Sequence, residues 1–382
     1  MQQTRAWIAA LAFAGAVAAP RPAAAQVVTL PPDGANQKAS VSQWIGPVEV
    51  NVTYNSPKVT APDGTDRTGK IWGKLVPYGM ASLGFGTCGD QCPWRAGANE
   101  NTVFRVSGDV KVEGQPLAAG SYGLFMVPGQ DEWTVIFSKN STSWGSFFYN
   151  PAEDALRVKV KPAKSEYNHW LTYEFTERKP DRATVALKWE YLQVPWVVTV
   201  DNVNELYVEN MRRQLRTTPG FNYQGWEQAA RFCLDNKINL KEGLTWAQNA
   251  VSLPFIGKEN FTTLRTLADL QEANGMKAES ETTMAKALDH PTADVMDLHQ
   301  YGRQLLARKE NEKALKVFEL NAKKHPNAWP VNVGLARGYS AVGRLKDALK
   351  YAKLAVEQAP DAANKKSLQQ MVADLEAGKP VS

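Results

Sequence analysis

The sequence predicts an α+β chain in separate domains: an N-terminal antiparallel β-sandwich or jelly-roll-like domain, then a C-terminal α-helical solenoid. Three observations lead there. From Ala39 to Tyr191, short runs alternate apolar and polar residues between turn residues, the period of half-buried antiparallel strands. After Val200 the apolar spacing becomes helical. Further on, one motif returns at intervals of 35 and 34 residues, as stacked repeats do.

A chain of 382 residues is too long for one core and suits two or three domains. With 43% hydrophobic and 22% charged residues, its composition is that of globular proteins. The twelve tryptophans suit a sandwich core or a sugar or peptide site equally. Residues 1–25 read as a cleavable export signal: Arg5 is the positive end, Ala6 to Ala19 the apolar run and Ala23-Ala24-Ala25 the small-residue cleavage site. Cleavage after Ala25 would start the mature protein at Gln26, in the periplasm or outside the cell. No cysteine stands at that point, so a lipid anchor is not expected. No later stretch reaches the length of a membrane helix. The 44 basic side chains, less Arg5 and Arg21, leave 42 against 39 acidic ones, a balance of +3, which gives no reason to expect nucleic acid.

Residues 26–37, rich in proline and small polar residues, read as a flexible arm, and 38–200 as the β domain. Val41, Gln43 and Ile45 form one strand face, Gly46-Pro47 turns the chain, and Val48, Val50, Val52 and Tyr54 form the next. Asn55 to Thr68 is a loop of proline, glycine and aspartate. Strands follow at Thr102–Val106 and Val110–Val112. Ser121–Val127 is apolar on both faces and predicts a central strand covered on each side. Trp133–Ser138, Leu156–Lys161, Leu171–Phe175 and Val185–Tyr191 complete about nine strands with no helical pattern between them. A parallel sheet would need crossover helices.

Val203, Leu206, Tyr207, Met211 and Leu215 share one helical stripe, so 201–221 reads as a connecting helix ended by Pro219-Gly220. Residues 222–382 read as repeats. His290-Pro291-Thr292-Ala293, His325-Pro326-Asn327-Ala328 and Ala359-Pro360-Asp361-Ala362 share a Pro-x-Ala core, and Gly302 with Ala336, Leu305 with Tyr339 and Ala314 with Ala348 recur 34 apart. Small residues where two helices cross, with proline after the second, resemble tetratricopeptide repeats. Lys365–Leu375 reads as the capping helix that a solenoid end requires. Arg303 and Arg337 hold matching places on successive first helices, which makes them candidates for a partner groove that takes an acidic or carboxylate-ended peptide. The plainer alternative is solvent-facing charge.

Cys88 and Cys92 are four apart, which in an oxidising compartment favours a local disulfide over a metal site. His169, His290, His299 and His325 are too scattered to complete a metal set, and no motif implies a cofactor. Cys233, between Phe232 and Leu234, reads as a buried small hydrophobe.

Four stretches carry a further resemblance: Gly69-Lys70-Ile71-Trp72-Gly73-Lys74-Leu75-Val76-Pro77-Tyr78-Gly79, Trp94-Arg95-Ala96-Gly97-Ala98-Asn99-Glu100, Leu117 to Phe125, and Trp133 to Phe137. Over Ala39 to Pro195 the chain resembles the bacterial exported family known as domain of unknown function 2911. The resemblance implies a secreted β domain without assigned activity, sometimes with helical repeats attached. The chain departs from the family pattern in an insert, Met80 to Pro93, which holds both cysteines, and in Lys70, where arginine is expected.

The Trp94–Glu100 stretch is the candidate site. Arg95 offers a planar fork for a carboxylate, Asn99 an amide and Glu100 an acid. Tyr54, Lys70, Trp72 and Tyr78 join them if the loops at one sandwich end converge. The structural alternative pairs Arg95 with Glu100 and buries Trp94, Trp72 or Tyr78 as core. No nucleophile elbow, zinc helix or phosphate loop occurs. The expected function is therefore an exported binding and assembly module, with a small-ligand or carbohydrate site on the β domain and repeats that bind a protein partner. The rival reading is an envelope-glycan or ester hydrolase or lyase with Glu100 as acid and Arg95 as substrate clamp.

Overall fold

Every second side chain of a strand falls on one face, and that alternation builds the first half. The structure is a computed structural model that describes residues 36–381. The expected export signal and residues 26–35 of the arm lie outside the described residues. One antiparallel sheet has six strands: β1 (Asn36–Ile45), β2 (Val48–Pro57), β3 (Thr102–Val106), β6 (Gly120–Val127), β7 (Trp133–Ser138) and β8 (Asp154–Val160), in that spatial order. The other has four, in the order β5 (Gln115–Leu117), β4 (Val110–Val112), β10 (Arg182–Thr199) and β9 (Ala163–Lys179). β1 and β2 pair without a break from Asn36 opposite Pro57 to Ile45 opposite Val48.

The sandwich prediction holds, with two differences of detail. β5 is three residues with a proline in the middle, too short to show a period. β9 and β10 run far beyond the expected segments: the first residues of β9, such as Glu166, are exposed and polar and hide the alternation, whereas β10 continues through Val194, Trp196 and Val198, which alternate into the core on either side of Pro195. The facing sides of the two sheets share one core, in which Phe104, Trp133 and Phe137 meet Tyr173, Trp189 and Trp196. β6 is central, as its two apolar faces require. Leu124 and Met126 point into this core, while Phe125 lies on the outer face with Ile136, covered by Leu83, Cys88 and Cys92 of the insert.

The insert is fixed by main-chain bonds. Ala81 and Cys92 exchange hydrogen bonds of 3.0 and 3.2 Å, and the Thr87 and Cys88 N–H groups donate to Phe147 O at 2.8 and 3.2 Å. Cys88 and Cys92 form the expected disulfide, Cα to Cα 5.2 Å. Its loop is so short that closure entropy amounts to about 2 kcal/mol. Serine at both positions is expected to lower the thermal midpoint of the β half by roughly 4–8 °C and to speed amide exchange across 81–93. Unchanged exchange in that segment would show that the main-chain bonds alone hold the insert.

The second half begins with α1 (Val203–Gln214). The helix pairs are α2 (Tyr223–Asn236) with α3 (Leu240–Ser252), α4 (Phe261–Ala273) with α5 (Lys277–Asp289), α6 (Val295–Ala307) with α7 (Asn311–Lys324), and α8 (Trp329–Ala341) with α9 (Leu345–Glu357). The stack ends on α10 (Ala362–Glu376). Pro291, Pro326 and Pro360 stand just after α5, α7 and α9, where a helix must stop. Asp294 and Asp361 cap α6 and α10 by accepting first-turn N–H bonds. First helices touch first helices, α2 on α4 and α6 on α8, so they line the inner side of the stack.

The junction of α6, α7 and α8 is closely packed around one ring. Phe318 on α7 is fully buried, and a Cβ at Gly302, Gly334 or Gly338 would stand 2.4, 2.5 or 2.8 Å from its ring. Cys233 is also buried, against Gly243, and burial pushes its thiol up to about 11.

α1 serves both halves. Val203 and Leu206 pack on the sandwich core, with Val203 seated in the space left by Gly46. Val208, Met211 and Leu215 pack into the first helical core. Arg212 reaches Glu242 on α3 with two bonds of 2.7 Å, and Asn204 donates to Asn236 on α2 at 3.1 Å.

Candidate functional site

The Trp94–Glu100 stretch leaves the six-stranded sheet at a defined point. Trp94 and Met126 exchange two backbone bonds of 2.8 Å, after which Ala96 and Asn99 take left-handed φ angles of 51° and 55°. Asparagine adopts that region readily; alanine pays about 1–2 kcal/mol for it. Two hydrogen bonds to the Ala96 carbonyl offset the strain, from Tyr173 Oη at 2.7 Å and Thr102 Oγ1 at 3.1 Å. Position 97 must be glycine-sized, since a Cβ there would lie 2.7 Å from Thr102 Oγ1. Asn99 Oδ1 accepts from Asn36 Nδ2 at 3.1 Å, tying the loop to the start of β1.

Arg95 does not pair with Glu100, and this corrects the structural alternative. Its Nη1 donates to the Asn99 carbonyl at 2.9 Å, and its guanidinium lies 5.4 Å from the ring centres of both Trp144 and Phe147. Burial draws its pKa below the usual arginine value, yet an arginine stays charged. Glu100 turns the other way. It accepts from Asn55 Nδ2 at 2.7 Å and lines a separate cleft with Tyr54 and Ser143.

A cavity of about 380 Å³ brings Trp94, Arg95 and Asn99 together and adds Arg67, Trp144 and Trp189. Among the described residues, no aspartate or glutamate lines it. Arg67 donates from Nε to Val59 O at 3.0 Å and from Nη2 to Lys58 O at 2.6 Å. Its loop is anchored by Glu190, a buried carboxylate at a bulge of β10 that accepts from the Gly69 N–H. Phe85 of the insert, 64% exposed, stacks on Phe147 at 4.2 Å and extends the aromatic rim.

The other expected site residues lie elsewhere. Tyr54 is buried against Tyr173, ring centres 4.8 Å apart, and burial raises its phenol pKa. Trp72 packs edge-on to Trp94, Trp133 and Trp189 at 5.8, 5.3 and 5.7 Å, which is core packing. Lys70 is exposed on its turn. Tyr78 is half exposed between Pro77 and Gly79, which do line the cavity. Sequence reasoning missed Arg67, Trp144 and Trp189. Trp144 had a readable signal, a tryptophan in a Ser-Trp-Gly-Ser loop; Arg67 and Trp189 had none, because a loop fold and a strand bulge place them.

Residues 36–198 match the family described as "Protein of unknown function (DUF2911)". The N-terminal domain belongs to the DUF2911 family. The cavity and the disulfide-bearing insert both lie within this DUF2911 domain. The helical half is similar to solved tetratricopeptide proteins. The pilF structure of Pseudomonas aeruginosa is 16% identical with a TM-score of 0.30, over 41% of this chain and 68% of that one. YrrB, described as a TPR protein with an unusual peptide-binding site, is 16% identical at 0.29, over 44% and 84%. A tetratricopeptide repeat protein from Parabacteroides merdae is 16% identical at 0.31, over 46% and 70%. No curated protein matches the chain.

A second charged feature lies on the inner side of the helical stack. On α2 and α4, Arg231 and Arg265 share the Asp269 carboxylate at 3.1 and 3.8 Å. On α6 and α8, Arg303 and Arg337 have no such partner, and among the described residues neither makes an ion pair. Burial and the nearby Arg303 both draw the Arg337 pKa down, and Arg337 Nε is buried without an acceptor. His299 lies beside both; burial, then Arg337 and Arg303, lower its pKa to about 4. Among the described residues no cluster could hold a metal ion, and no helix is long and apolar enough to cross a membrane.

Proposed function

We propose that this protein is an exported binding and assembly module, in which the DUF2911 domain holds a small ligand and the repeat stack docks an acidic segment of a protein partner. The observation that carries the docking role is the pair of cations Arg303 and Arg337 on the inner helices, beside a neutral His299. Two guanidiniums side by side repel each other, and a carboxylate between them would relieve that repulsion. The Cys88–Cys92 disulfide supports an oxidising compartment, in keeping with the export signal read at residues 1–25 and a periplasmic or secreted location. The two-domain division at about residue 200 belongs to the same reading.

The hydrolase or lyase reading has less support, because Glu100 and Arg95 open on different clefts and so do not converge on one bond. A neutral carbohydrate has no particular support in a cavity that presents two guanidiniums.

Docking is tested with a fluorescein-labelled peptide of alternating aspartate and glutamate, followed by fluorescence anisotropy. The intact protein should bind it, and Arg303→Glu with Arg337→Glu should weaken binding at least tenfold, about 1.4 kcal/mol, with an unchanged helical spectrum. Equal affinity for a lysine-rich peptide, or no response to the double substitution, would remove the partner role from these arginines.

A further inference from the structure

We infer that the cavity of the DUF2911 domain is a binding site for a small carboxylate carried on a flat, apolar body. The inference rests on the ligand-binding reading above and names the chemical class.

Size narrows the occupant first. A volume of about 380 Å³ lies at the small end of sites that enclose single molecules, roughly 300–1,000 Å³.

Charge decides the head group. Arg67 and Arg95 both line the cavity, and no acidic residue among the described ones does. Each guanidinium is held by main-chain carbonyls, Arg67 by those of Val59 and Lys58 and Arg95 by that of Asn99. Carbonyls fix the direction of a cation without neutralising it. Of the five N–H groups on each fork, those on Arg67 Nη1 and on Arg95 Nε and Nη2 have no acceptor among the described residues. Partly buried cations are ordinarily matched by an anion, and the planar fork matches a carboxylate with two parallel bonds. The site has no lysine and no helix start, the further donors that a phosphate with its three terminal oxygens would use. A carboxylate is the better match.

The walls decide the body. Trp94, only partly buried, lines the wall with the core residue Trp189 stacked behind it at 6.4 Å, and Trp144 stands at the opening, 57% exposed, beside the Arg95 guanidinium. Flat faces of this kind take a ring by stacking. An exposed tryptophan held against a cation is poised to cover such a ring once its carboxylate is seated.

The experiment uses the intact mature protein and isothermal titration with three probes of one shape: naphthalene carboxylate, the neutral naphthalene carboxamide and naphthyl phosphate. The carboxylate should bind at least tenfold more tightly than the carboxamide and more tightly than the phosphate. Arg95→Gln and Trp144→Ala should each weaken it severalfold. Among the described residues Trp144 makes no side-chain hydrogen bond, and it is 57% exposed, so its variant should keep close to the parent melting curve and decides the matter if Arg95→Gln fails to fold. Equal binding of carboxylate and carboxamide would overturn the assignment while leaving a ligand cavity in place. Tighter binding of the phosphate would overturn it in favour of a different anion. No binding of any probe would sink both this inference and the small-ligand role of the domain, without touching the docking role of the repeats.

Discussion

Alanine at Phe318 is expected to destabilise the helical half by about 3–5 kcal/mol, the usual loss for a phenylalanine removed from a packed core. Three glycines shape the pocket around this ring, and glycines have no side chains with which to refill it, so the upper part of the range applies. The ring also joins three successive helices, α6, α7 and α8. In a solenoid each unit is held by its neighbours alone, so the loss falls on one interface and uncouples the last repeats from those before. Urea unfolding followed at the helical band should show the midpoint lowered by about 2 M, for a slope near 2 kcal/mol/M. The tryptophan-rich β half should report its own transition at the parent midpoint. Phe318→Leu, which keeps most of the volume, should cost much less. An alanine variant as stable as the parent would show that the glycines do not close on the ring as described.

The second large effect concerns His299 and acid. In the folded chain its imidazole is buried beside Phe318, ring centres 5.9 Å apart. It faces Arg303 and Arg337, and its pKa is about 4. In the unfolded chain it titrates near 6.5. Between these two values the unfolded state binds a proton that the folded state refuses, so stability falls as pH drops from about 6.5 to about 4 and is fully present above 6.5. The gap amounts to about 3 kcal/mol at 1.36 kcal/mol per pH unit. The folding free energy of the helical half, measured across this range, should lose that amount, and His299→Leu should lose much less. An imidazole that titrates near 6.5 in the folded protein, read by NMR, would contradict the burial and the two neighbouring cations together.

The fold was largely legible because both halves repeat. Leu124 against Phe125 announces a strand covered on two sides, and Pro291, Pro326 and Pro360 mark out the helix pairs. Only the strand lengths were obscured, since β9 starts where its side chains meet water and alternation is lost, and β10 runs on through Pro195, a residue that ordinarily ends a strand. The site was legible in part. Trp94, Arg95 and Asn99 stand together both in the chain and in the cavity, because one short loop carries them. Glu100, one residue further, points into another cleft, and the left-handed turn at Asn99 is what separates them. Arg67 and Trp189 come to the cavity from remote positions, through a loop anchored on Glu190 and a bulge in β10. No spacing in one sequence encodes such convergence.

The helix α1 has one side committed to the sandwich and another to the first helix pair. A linker of that kind acts as a splint instead of a joint: bending it would break open a hydrophobic interior at one end or the other. Cutting the chain at the end of the last strand would bare the patch that Val203 and Leu206 now shield, so a truncated front half should be designed to keep the helix through Leu215.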